Sequence, residues 1–278
     1  MTANAVRKRV TKLVEQGVIE EFVVIMKPAM TGAELLLALL YTDGSEDEDA
    51  FLSEIGTHSG IVQTGLIASI RGRTYHVLAE YIDAAGLMDI RRYFFGYESV
   101  QDVEIHTLLR HQGSRIDLNK LHLRVLRMLL EDARMSITDI ASSTGLSAKR
   151  VRRALSDITE SGAFWFAARW NLSAGEDTEF YVRIEIDEQK TDREAVDAWL
   201  RFNHPNEYWL SFHSAIEPTV FAKFVTDHFR ESDRISRNIK DAPFVKSTST
   251  LICYPVHKFP RLSQLMLQEK LAEAGLWP

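Results

Sequence analysis

The chain has 278 residues, of which 45% are hydrophobic and 26% are charged, a composition typical of a globular protein whose length favours two domains. The formal net charge of −6 excludes a protein that coats nucleic acid through bulk positive charge, although it permits a local basic surface. The single cysteine, Cys253, excludes a disulfide within the chain.

Two diverged copies of one unit make up the chain, and they are related by an offset of 145 residues. The segment from Thr2, TANAVRKRVTKLVEQGVIEEF, aligns with SAKRVRRALSDITESGAFWFA from Ser147. The same offset places LLLALLY from Leu35 on FYVRIEI from Phe180. Because a repeat of this length sets the architecture, we expect each element of the first copy to recur in the second.

The two copies predict the same order of elements. A basic helix is followed by a short strand and a longer strand, then by a helix, two strands joined by a tight turn, a further helix and a last strand. Ser45 with Glu48, and Thr191 with Glu194, resemble capping boxes of the first helix after the longer strand. The order β-α-β-β-α-β predicts a ferredoxin-like sandwich with helices on one face of an antiparallel sheet. Residues 261–275 predict an additional C-terminal helix.

Residues 117–162 predict three helices separated by short turns. The apolar face of the first helix consists of Leu121, Val125, Leu126 and Leu129. Asp117 is placed to cap that helix, Ser136 caps the second and Ser147 caps the third. Gly145 supplies the left-handed turn before the third helix, an arrangement typical of a helix–turn–helix.

The third helix has a strongly basic outer face. Its buried stripe consists of Val151, Leu155 and Ile158. Outside the stripe lie four cations, Lys149, Arg150, Arg152 and Arg153. A helix in the major groove contacts bases with its N-terminal residues while neighbouring cations bind phosphates. The three-helix setting therefore favours contact with double-stranded DNA over the alternative, a charged face that only water contacts.

The candidate DNA-contacting residues follow from this layout. In the second copy they are Ser136, Ser147, Lys149, Arg150, Arg152, Arg153 and Arg169. In the first copy they are Asn4, Arg7 and Lys8. Arg169 belongs to the aromatic segment 164–170, which we interpret as strand and wing packing with one phosphate contact and not as a base-stacking platform.

The segment EDARMSITDIASSTGLSAKRVRRAL resembles the winged helix–turn–helix of the Lrp/AsnC (feast/famine) transcription regulators. The resemblance lies in Asp132-Ala133-Arg134, in Ile140-Ala141, in Gly145-Leu146-Ser147 and in the valine–arginine register of the third helix. Members of that family couple this domain to a βαββαβ (RAM-like) domain that senses small molecules. The resemblance implies a DNA-binding transcription regulator that is not an enzyme, has no cofactor and forms a homodimer or higher homo-oligomer through its βαββαβ domains.

We therefore expect an α+β fold with a winged helix–turn–helix and two ferredoxin-like βαββαβ sandwiches. The expected boundaries are 1–28 for a partial winged helix–turn–helix with recognition helix and wing, 33–110 for the first ferredoxin-like domain, 117–172 for the complete winged helix–turn–helix, 177–257 for the second ferredoxin-like domain, and 260–278 for the C-terminal helix. The resemblance covers nearly the whole chain, because each of the two copies resembles the two-domain unit of the family.

Members of the family usually turn between the second and third strands of the βαββαβ domain through a glycine, with an aspartate a few residues later beside an amino-acid pocket. Gly72 matches the glycine, but Tyr75 stands where the aspartate is expected, and the second copy has Glu217 and Pro218 in its turn. Gly72, Thr74 and Tyr75 are thus the candidate effector-binding residues. The missing carboxylate argues against the usual amino-acid effector, because it would pair with the ammonium group.

The repeat register places the first copy's equivalents of the two supporting helices before Met1. An isolated recognition helix cannot bury its stripe of Val6, Val10 and Leu13. We expect either a native start about 28 residues earlier, which we favour, or packing of this stripe on another element.

Three further expectations concern chemistry and location. The histidines form no His-x-x-x-His or His-Glu-x-x-His pair, so we expect no metal site.

The alternative function is enzymatic, because some relatives with the same architecture decarboxylate sirohaem, and His204 or His213 would then act as the acid over a tetrapyrrole. No apolar stretch approaches the about 20 residues that span a bilayer, and the first residues lack the apolar region of a signal peptide, so we expect a cytoplasmic protein with no membrane partner.

Overall fold

A computed structural model describes residues 2–68, 72–174 and 177–277 of the chain. The helices are α1 (Ala3–Glu15), α2 (Pro28–Thr31), α3 (Glu48–Ile55), α4 (Asp83–Phe94), α5 (Lys120–Glu131), α6 (Ile137–Thr144), α7 (Ala148–Glu160), α8 (Arg193–Asn203), α9 (Phe229–Lys240) and α10 (Leu262–Glu273). The strands are β1 (Ile19–Met26), β2 (Ala33–Thr42), β3 (Ile61–Ala68), β4 (Thr74–Ile82), β5 (Val100–Leu108), β6 (Phe164–Trp170), β7 (Thr178–Ile186), β8 (Tyr208–His213), β9 (Thr219–Thr226) and β10 (Val245–Lys258).

The chain divides into two compact units that alternate along the sequence. Unit 1 comprises Met1–Ala33, Arg110–Ala174 and Pro260–Pro278, and unit 2 comprises Glu34–Leu109 and Gly175–Phe259. Unit 1 contains the helix–turn–helix, and unit 2 contains the two βαββαβ sandwiches. The predicted α+β fold class is confirmed.

In unit 1, α5, α6 and α7 pack around a common apolar core to which β1, β6 and α10 also contribute. Its buried residues include Val24, Val125, Leu126, Leu129, Ile140, Leu146, Val151, Ala154, Ile158, Leu267 and Leu271. Asn119 caps α5, because its side-chain oxygen accepts hydrogen bonds from the backbone N–H groups of Leu121 and His122. The prediction that Asp117 caps α5 is therefore wrong: the helix begins at Lys120, and Asp117 lies two residues too early.

The strands that follow α1 and α7 pair with each other. β1 and β6 form a two-stranded antiparallel ribbon in which Phe22 lies opposite Ala168 and Met26 opposite Phe164. The strand predicted as a wing in each copy thus takes its hydrogen bonds from its counterpart in the other copy.

In unit 2, each half of the chain forms one βαββαβ sandwich. The strand orders are β5-β2-β4-β3 and β10-β7-β9-β8, and pairing of β3 with β10 joins them into one eight-stranded sheet. Helices α3 and α4 pack on one face of the first half, and α8 and α9 pack on the same face of the second. The association of two βαββαβ domains, which we expected between chains, therefore occurs within one chain, and a homodimer stays a prediction.

The sheet of unit 2 curls until its edge strands meet. The Leu109 N–H donates to the carbonyl of His213 at 2.9 Å, and the Ala215 N–H donates to the carbonyl of Thr107 at 2.7 Å. The face turned away from the helices then encloses a further apolar cluster drawn from both halves, comprising Leu35, Leu37, Val62, Leu78, Leu108, Tyr181 and Phe221.

The repeat of elements is close to the predicted offset, with one slip. Residues 3–15 of α1 and 148–160 of α7 are separated by 145 positions at both ends. In β2 and β7, however, Leu35 faces the enclosed cluster whereas Phe180 lies beneath the helices. The predicted alignment of Leu35 with Phe180 is wrong by one residue, because a shift of one position exchanges the two faces of a strand.

The predicted capping boxes also differ from the observed caps. Asp47 caps α3 by accepting from the Ala50 N–H, and Asp192 caps α8 by accepting from the Ala195 N–H. Ser45 instead donates its backbone N–H to Asp43 in the turn before α3. Each helix begins later than Ser45 and Thr191 require, and aspartate serves as well as serine or threonine at this position.

None of the helices in the described part of the chain combines the length and apolar character needed to cross a membrane.

Candidate nucleic-acid interface

Helix α7 is fixed on one side and open on the other. Val151, Ala154 and Ile158 are completely buried against the core of unit 1. The hydroxyl oxygen of Ser147 accepts a hydrogen bond from the backbone N–H of Arg150 at 3.4 Å and so caps the helix, as predicted. The buried stripe sets the rotation of the helix about its axis, so the opposite face points outward.

The outward face of α7 carries the four cations that the sequence singled out. Lys149, Arg150, Arg152 and Arg153 are all exposed. Within the described ranges, none of the four forms an ion pair or a side-chain hydrogen bond with another residue. Four unpaired charges on one turn and a half of a rigid helix repel one another, and an anionic partner such as a phosphate backbone relieves that repulsion.

The helix before α7 completes the helix–turn–helix geometry. Ser136 caps α6, where its oxygen accepts from the Asp139 N–H at 3.1 Å and its hydroxyl donates to the Asp139 carboxylate at 2.6 Å. Gly145 ends α6 in the left-handed conformation with φ of 64°, and Leu146 enters the core. Ser136 and Ser147 thus both have structural roles as caps, and their DNA contacts stay a prediction.

Charge is divided unequally between the two units. Unit 1 carries 18 Lys and Arg residues against 11 Asp and Glu residues, a formal net charge of +7. Unit 2 carries 15 against 28, a formal net charge of −13. The acidity of the whole chain therefore resides in unit 2, and the unit that contains α7 is basic.

Helix α1 has the same basic character but a different setting. Asn4, Arg7 and Lys8 are exposed on it, and the Thr2 hydroxyl caps it by accepting from the Ala5 N–H at 3.3 Å. Unlike α7, this helix, which the structure describes in full, buries none of its residues, and Val6 and Val14 are each 44% exposed. The three candidate residues of the first copy therefore lie on a helix with much less support.

Arg169 is already paired. Its guanidinium donates to the carboxylate of Glu21 across the ribbon at 2.8 Å and contacts the side-chain oxygen of Gln264 at 3.5 Å. A phosphate would have to compete with this ion pair. The sequence could not reveal it, because the partner comes from a strand of the other copy.

The candidate effector residues lie at the β3–β4 turn and in the core beside it. Gly72 has a φ of 90°, and the Thr74 hydroxyl donates to the Gly72 carbonyl at 3.2 Å. The Tyr75 ring is buried against Phe51, and its hydroxyl donates to Glu46 at 2.8 Å. Burial, reinforced by this hydrogen bond, raises the pKa of Tyr75 well above its ordinary value. Tyr75 therefore fills the first sandwich core, and an effector at these residues stays a prediction.

The histidines of segment 204–213 have different environments. His213 Nε2 lies 3.1 Å from both carboxylate oxygens of Asp197, which also accepts from the Tyr208 hydroxyl at 3.1 Å. Burial opposes ionisation of Asp197, but the hydrogen bonds from His213 and its neighbours lower the pKa of this carboxyl overall. His204 is buried between Trp199 and Phe224, and burial lowers the pKa of its imidazole.

A cluster that sequence spacing could not reveal joins β5 to the β8–β9 turn. His106 Nε2 lies 2.9 Å from Glu104, and His106 Nδ1 lies 3.3 Å from Glu217. The three residues have the chemistry of metal ligands. However, Glu104 already accepts hydrogen bonds from Tyr41 at 3.0 Å and from Arg183 at 2.6 Å. We interpret the group as a network of hydrogen bonds and ion pairs centred on Glu104, in which Glu217 lies within ion-pair distance of His106 Nδ1.

Comparison with known proteins identifies the basic three-helix segment. Residues 118–162 match the family model of winged helix-turn-helix DNA-binding domains. They form the three helices of a winged helix–turn–helix, and the β1–β6 ribbon takes the place of its wing. No curated protein matches the chain significantly.

Solved structures resemble the chain over nearly all or about half of its length. The crystal structure of the siroheme decarboxylase NirDL has a TM-score of 0.61 and 13% identity, covering 99% of this chain and 90% of that one. The same enzyme in complex with an iron-uroporphyrin III analogue gives 0.59 and 14%, with the same coverage. The AsnC structure from E. coli has a TM-score of 0.39 and 18% identity, covering 49% of this chain and 92% of that one. At these identities the similarity to NirDL concerns the fold.

Proposed function

We propose that the chain is a sequence-specific DNA-binding transcription regulator of the Lrp/AsnC type, with α7 as its principal reading helix. One observation carries the proposal: four exposed, unpaired cations lie on the outer face of a capped helix whose other face is fixed in a winged helix–turn–helix core. The basic charge of unit 1 supports it.

The geometry separates two kinds of contact on α7. Lys149 and Arg150 lie in the first turn of the helix, which is the part that reaches base edges when a recognition helix enters the major groove. Arg152 and Arg153 lie one turn further on and are placed to bind phosphates. Arginine donates to guanine O6 and N7 through two parallel hydrogen bonds, so Arg150 favours a guanine in its half-site.

The test is a fluorescence-anisotropy titration with a duplex selected by the protein from a random pool, at two salt concentrations. Replacement of Arg150 and Arg153 by alanine should weaken binding at least about 30-fold and flatten the log–log salt slope by about one to two units. The matched control removes two exposed cations of unit 1 elsewhere, Lys120→Ala with Lys270→Ala, and should leave affinity within about threefold of the wild type. Unchanged affinity and salt slope in the Arg150 and Arg153 variant would contradict the role of α7.

A second candidate function is decarboxylation of a sirohaem-type tetrapyrrole. The observation that favours it is the hydrogen-bonded pair of Asp197 and His213, because decarboxylation replaces a carboxyl group by a proton and a carboxylate-oriented histidine is a suitable proton donor. The whole-length fold similarity to a siroheme decarboxylase adds support. Titration with iron-uroporphyrin III should then give a saturable shift of the Soret band that His213→Gln weakens. A spectrum that stays the sum of the separate components would contradict this second function.

A further inference from the structure

The ribbon of β1 and β6 contains a local two-fold axis. The repeat offset of 145 residues makes Phe22 the counterpart of Ala167 and Val23 the counterpart of Ala168. In the ribbon, Phe22 lies opposite Ala168 and Val23 lies opposite Ala167. When each residue is replaced by its counterpart, the pair Phe22–Ala168 becomes the pair Ala167–Val23, as a two-fold axis requires. The axis passes through the ribbon between these two residue pairs.

Helices α1 and α7 join this ribbon through equivalent connections. Each has 13 residues, and each ends at a turn with a left-handed glycine, Gly17 with φ of 71° and Gly162 with φ of 68°. Each begins at a hydroxyl cap, Thr2 or Ser147, that accepts from the N–H three residues later. The strand register, the glycine turns and the helix lengths are thus those that a two-fold relationship between the two connections requires.

Helix–turn–helix proteins ordinarily obtain two recognition helices related by a two-fold axis from two identical chains, and their DNA sites are then palindromic. In unit 1, a single chain provides both helices. The two are not identical, however. Lys149 and Arg150 at the start of α7 correspond to Asn4 and Ala5 on α1, whereas the cations Arg152 and Arg153 correspond to Arg7 and Lys8.

The conserved and changed positions differ in what they recognise. Arg7 and Lys8 retain the positive charge of Arg152 and Arg153, and phosphates are the same at every base pair. Asn4 replaces Lys149, and asparagine pairs with adenine through N6 and N7, whereas lysine and arginine pair with guanine. Both helices can therefore hold the backbone in the same way while they read different bases.

We infer that one chain binds one DNA site as a monomer and reads an asymmetric site, with guanine in the half under α7 and adenine in the half under α1. This inference rests on the proposed DNA-binding function. The weaker packing of α1 makes its half the lesser contributor, because a helix without buried residues is held less firmly in position for base contacts.

The test begins with selection of duplexes by the full chain from a random pool. The expected motif has two unequal halves centred about 10 base pairs, or a multiple of that, apart. Mass photometry of the complex should show one chain per duplex. A palindromic motif bound by two chains would overturn the inference.

Two variants at positions separated by 145 residues provide the matched comparison. Asn4→Ala with Arg7→Ala should weaken binding about tenfold and abolish discrimination in the adenine half only. Lys149→Ala with Arg152→Ala should weaken binding at least about 30-fold and reduce, without abolishing, discrimination in the guanine half, because Arg150 is retained. A gain-of-function variant, Asn4→Lys with Ala5→Arg, should change the preference of the α1 half towards guanine and make the selected motif more nearly palindromic.

The outcomes distinguish failure of the DNA-binding function from failure of the asymmetric-site inference. A chain that selects no motif and shows no salt-dependent binding to any duplex contradicts the DNA-binding function itself. A chain that binds through α7, but whose motif and affinity are unaffected by Asn4→Ala with Arg7→Ala, retains that function and overturns the inference.

Discussion

Arg183 on β7 donates to the carboxylate of Glu104 on β5 at 2.6 Å, although four strands separate β5 from β7 in the order of the sheet. The contact exists because the sheet curls until its edges meet, which brings the two strands to opposite sides of one enclosed space. His106 and Tyr41 donate to the same carboxylate. Glu104 is therefore the centre of a network that links β2 and β5 to β7 across the enclosed space.

The stability of unit 2 should fall in acid because of Glu104. The hydrogen bond from His106 is the largest influence on the pKa of Glu104 and lowers it, and Arg183 lowers it further. Burial opposes both, and the net result is a pKa lowered from 4.5 to about 2. A carboxyl whose pKa is lowered in the folded state stabilises that state above its unfolded pKa, and the stabilisation is lost as pH falls from about 4.5 to about 2. After allowance for partial exposure, we expect a loss of about 2 kcal/mol from this group in that window.

The measurement is urea unfolding at pH values between 6 and 2, with Glu104→Gln as the comparison. The variant should be less stable than the wild type at pH 6, and the two should converge towards pH 2. Parallel pH profiles for the two proteins would show that Glu104 is not the group responsible, since the remaining carboxyls are common to both.

Local sequence patterns predicted most of the secondary structure, because the apolar run of β2 and the amphipathic spacing of α7 depend on near neighbours. They also found the cations of α7 for the same reason. The pairing of Arg169 with Glu21, and of Glu104 with Arg183, depends on the register between strands distant in sequence, which no local pattern specifies. The slip between Leu35 and Phe180 has the same origin, since an alignment by repeat cannot show which face of a strand is buried.

Asn119 should contribute more to the stability of unit 1 than Asp117 does. Its side chain satisfies two backbone N–H groups at the start of α5, and His122 Nδ1 lies 3.4 Å from the Asn119 N–H in return. Asn119→Ala should lower the free energy of unfolding by about 1 kcal/mol. Asp117→Ala removes a carboxylate two residues before the cap and should change it by less than about 0.5 kcal/mol. Urea unfolding followed by circular dichroism measures both, and a larger loss for Asp117→Ala would refute the assignment of the cap.

Val6 and Val151 are counterparts 145 residues apart, and their substitution should have unequal effects. Val151 is completely buried in the core of unit 1, whereas Val6 is 44% exposed. Val151→Ser removes buried apolar volume and introduces a hydroxyl, so it should cost about 2 to 4 kcal/mol. Val6→Ser should cost about 0.5 kcal/mol or less. Equal losses in thermal or urea unfolding would mean that the apolar stripe of α1 is covered in solution as that of α7 is.

Gly56 at the end of α3 should not tolerate a side chain while Phe259 is present. A Cβ atom at Gly56 would lie 1.8 Å from the ring carbon Cζ of Phe259, although its backbone φ of −67° suits any residue. Gly56→Ala should therefore destabilise unit 2 by about 1 to 3 kcal/mol through overpacking alone. In a Phe259→Ala background the same change should be neutral or stabilise by up to about 1 kcal/mol, because alanine restricts the unfolded chain more than glycine does. Gly86→Ala in α4, where the nearest atom lies at an ordinary 3.7 Å, is the control and should not destabilise. A double-mutant cycle from urea unfolding gives the coupling, and a value near zero would show that the ring of Phe259 does not occupy this position in solution.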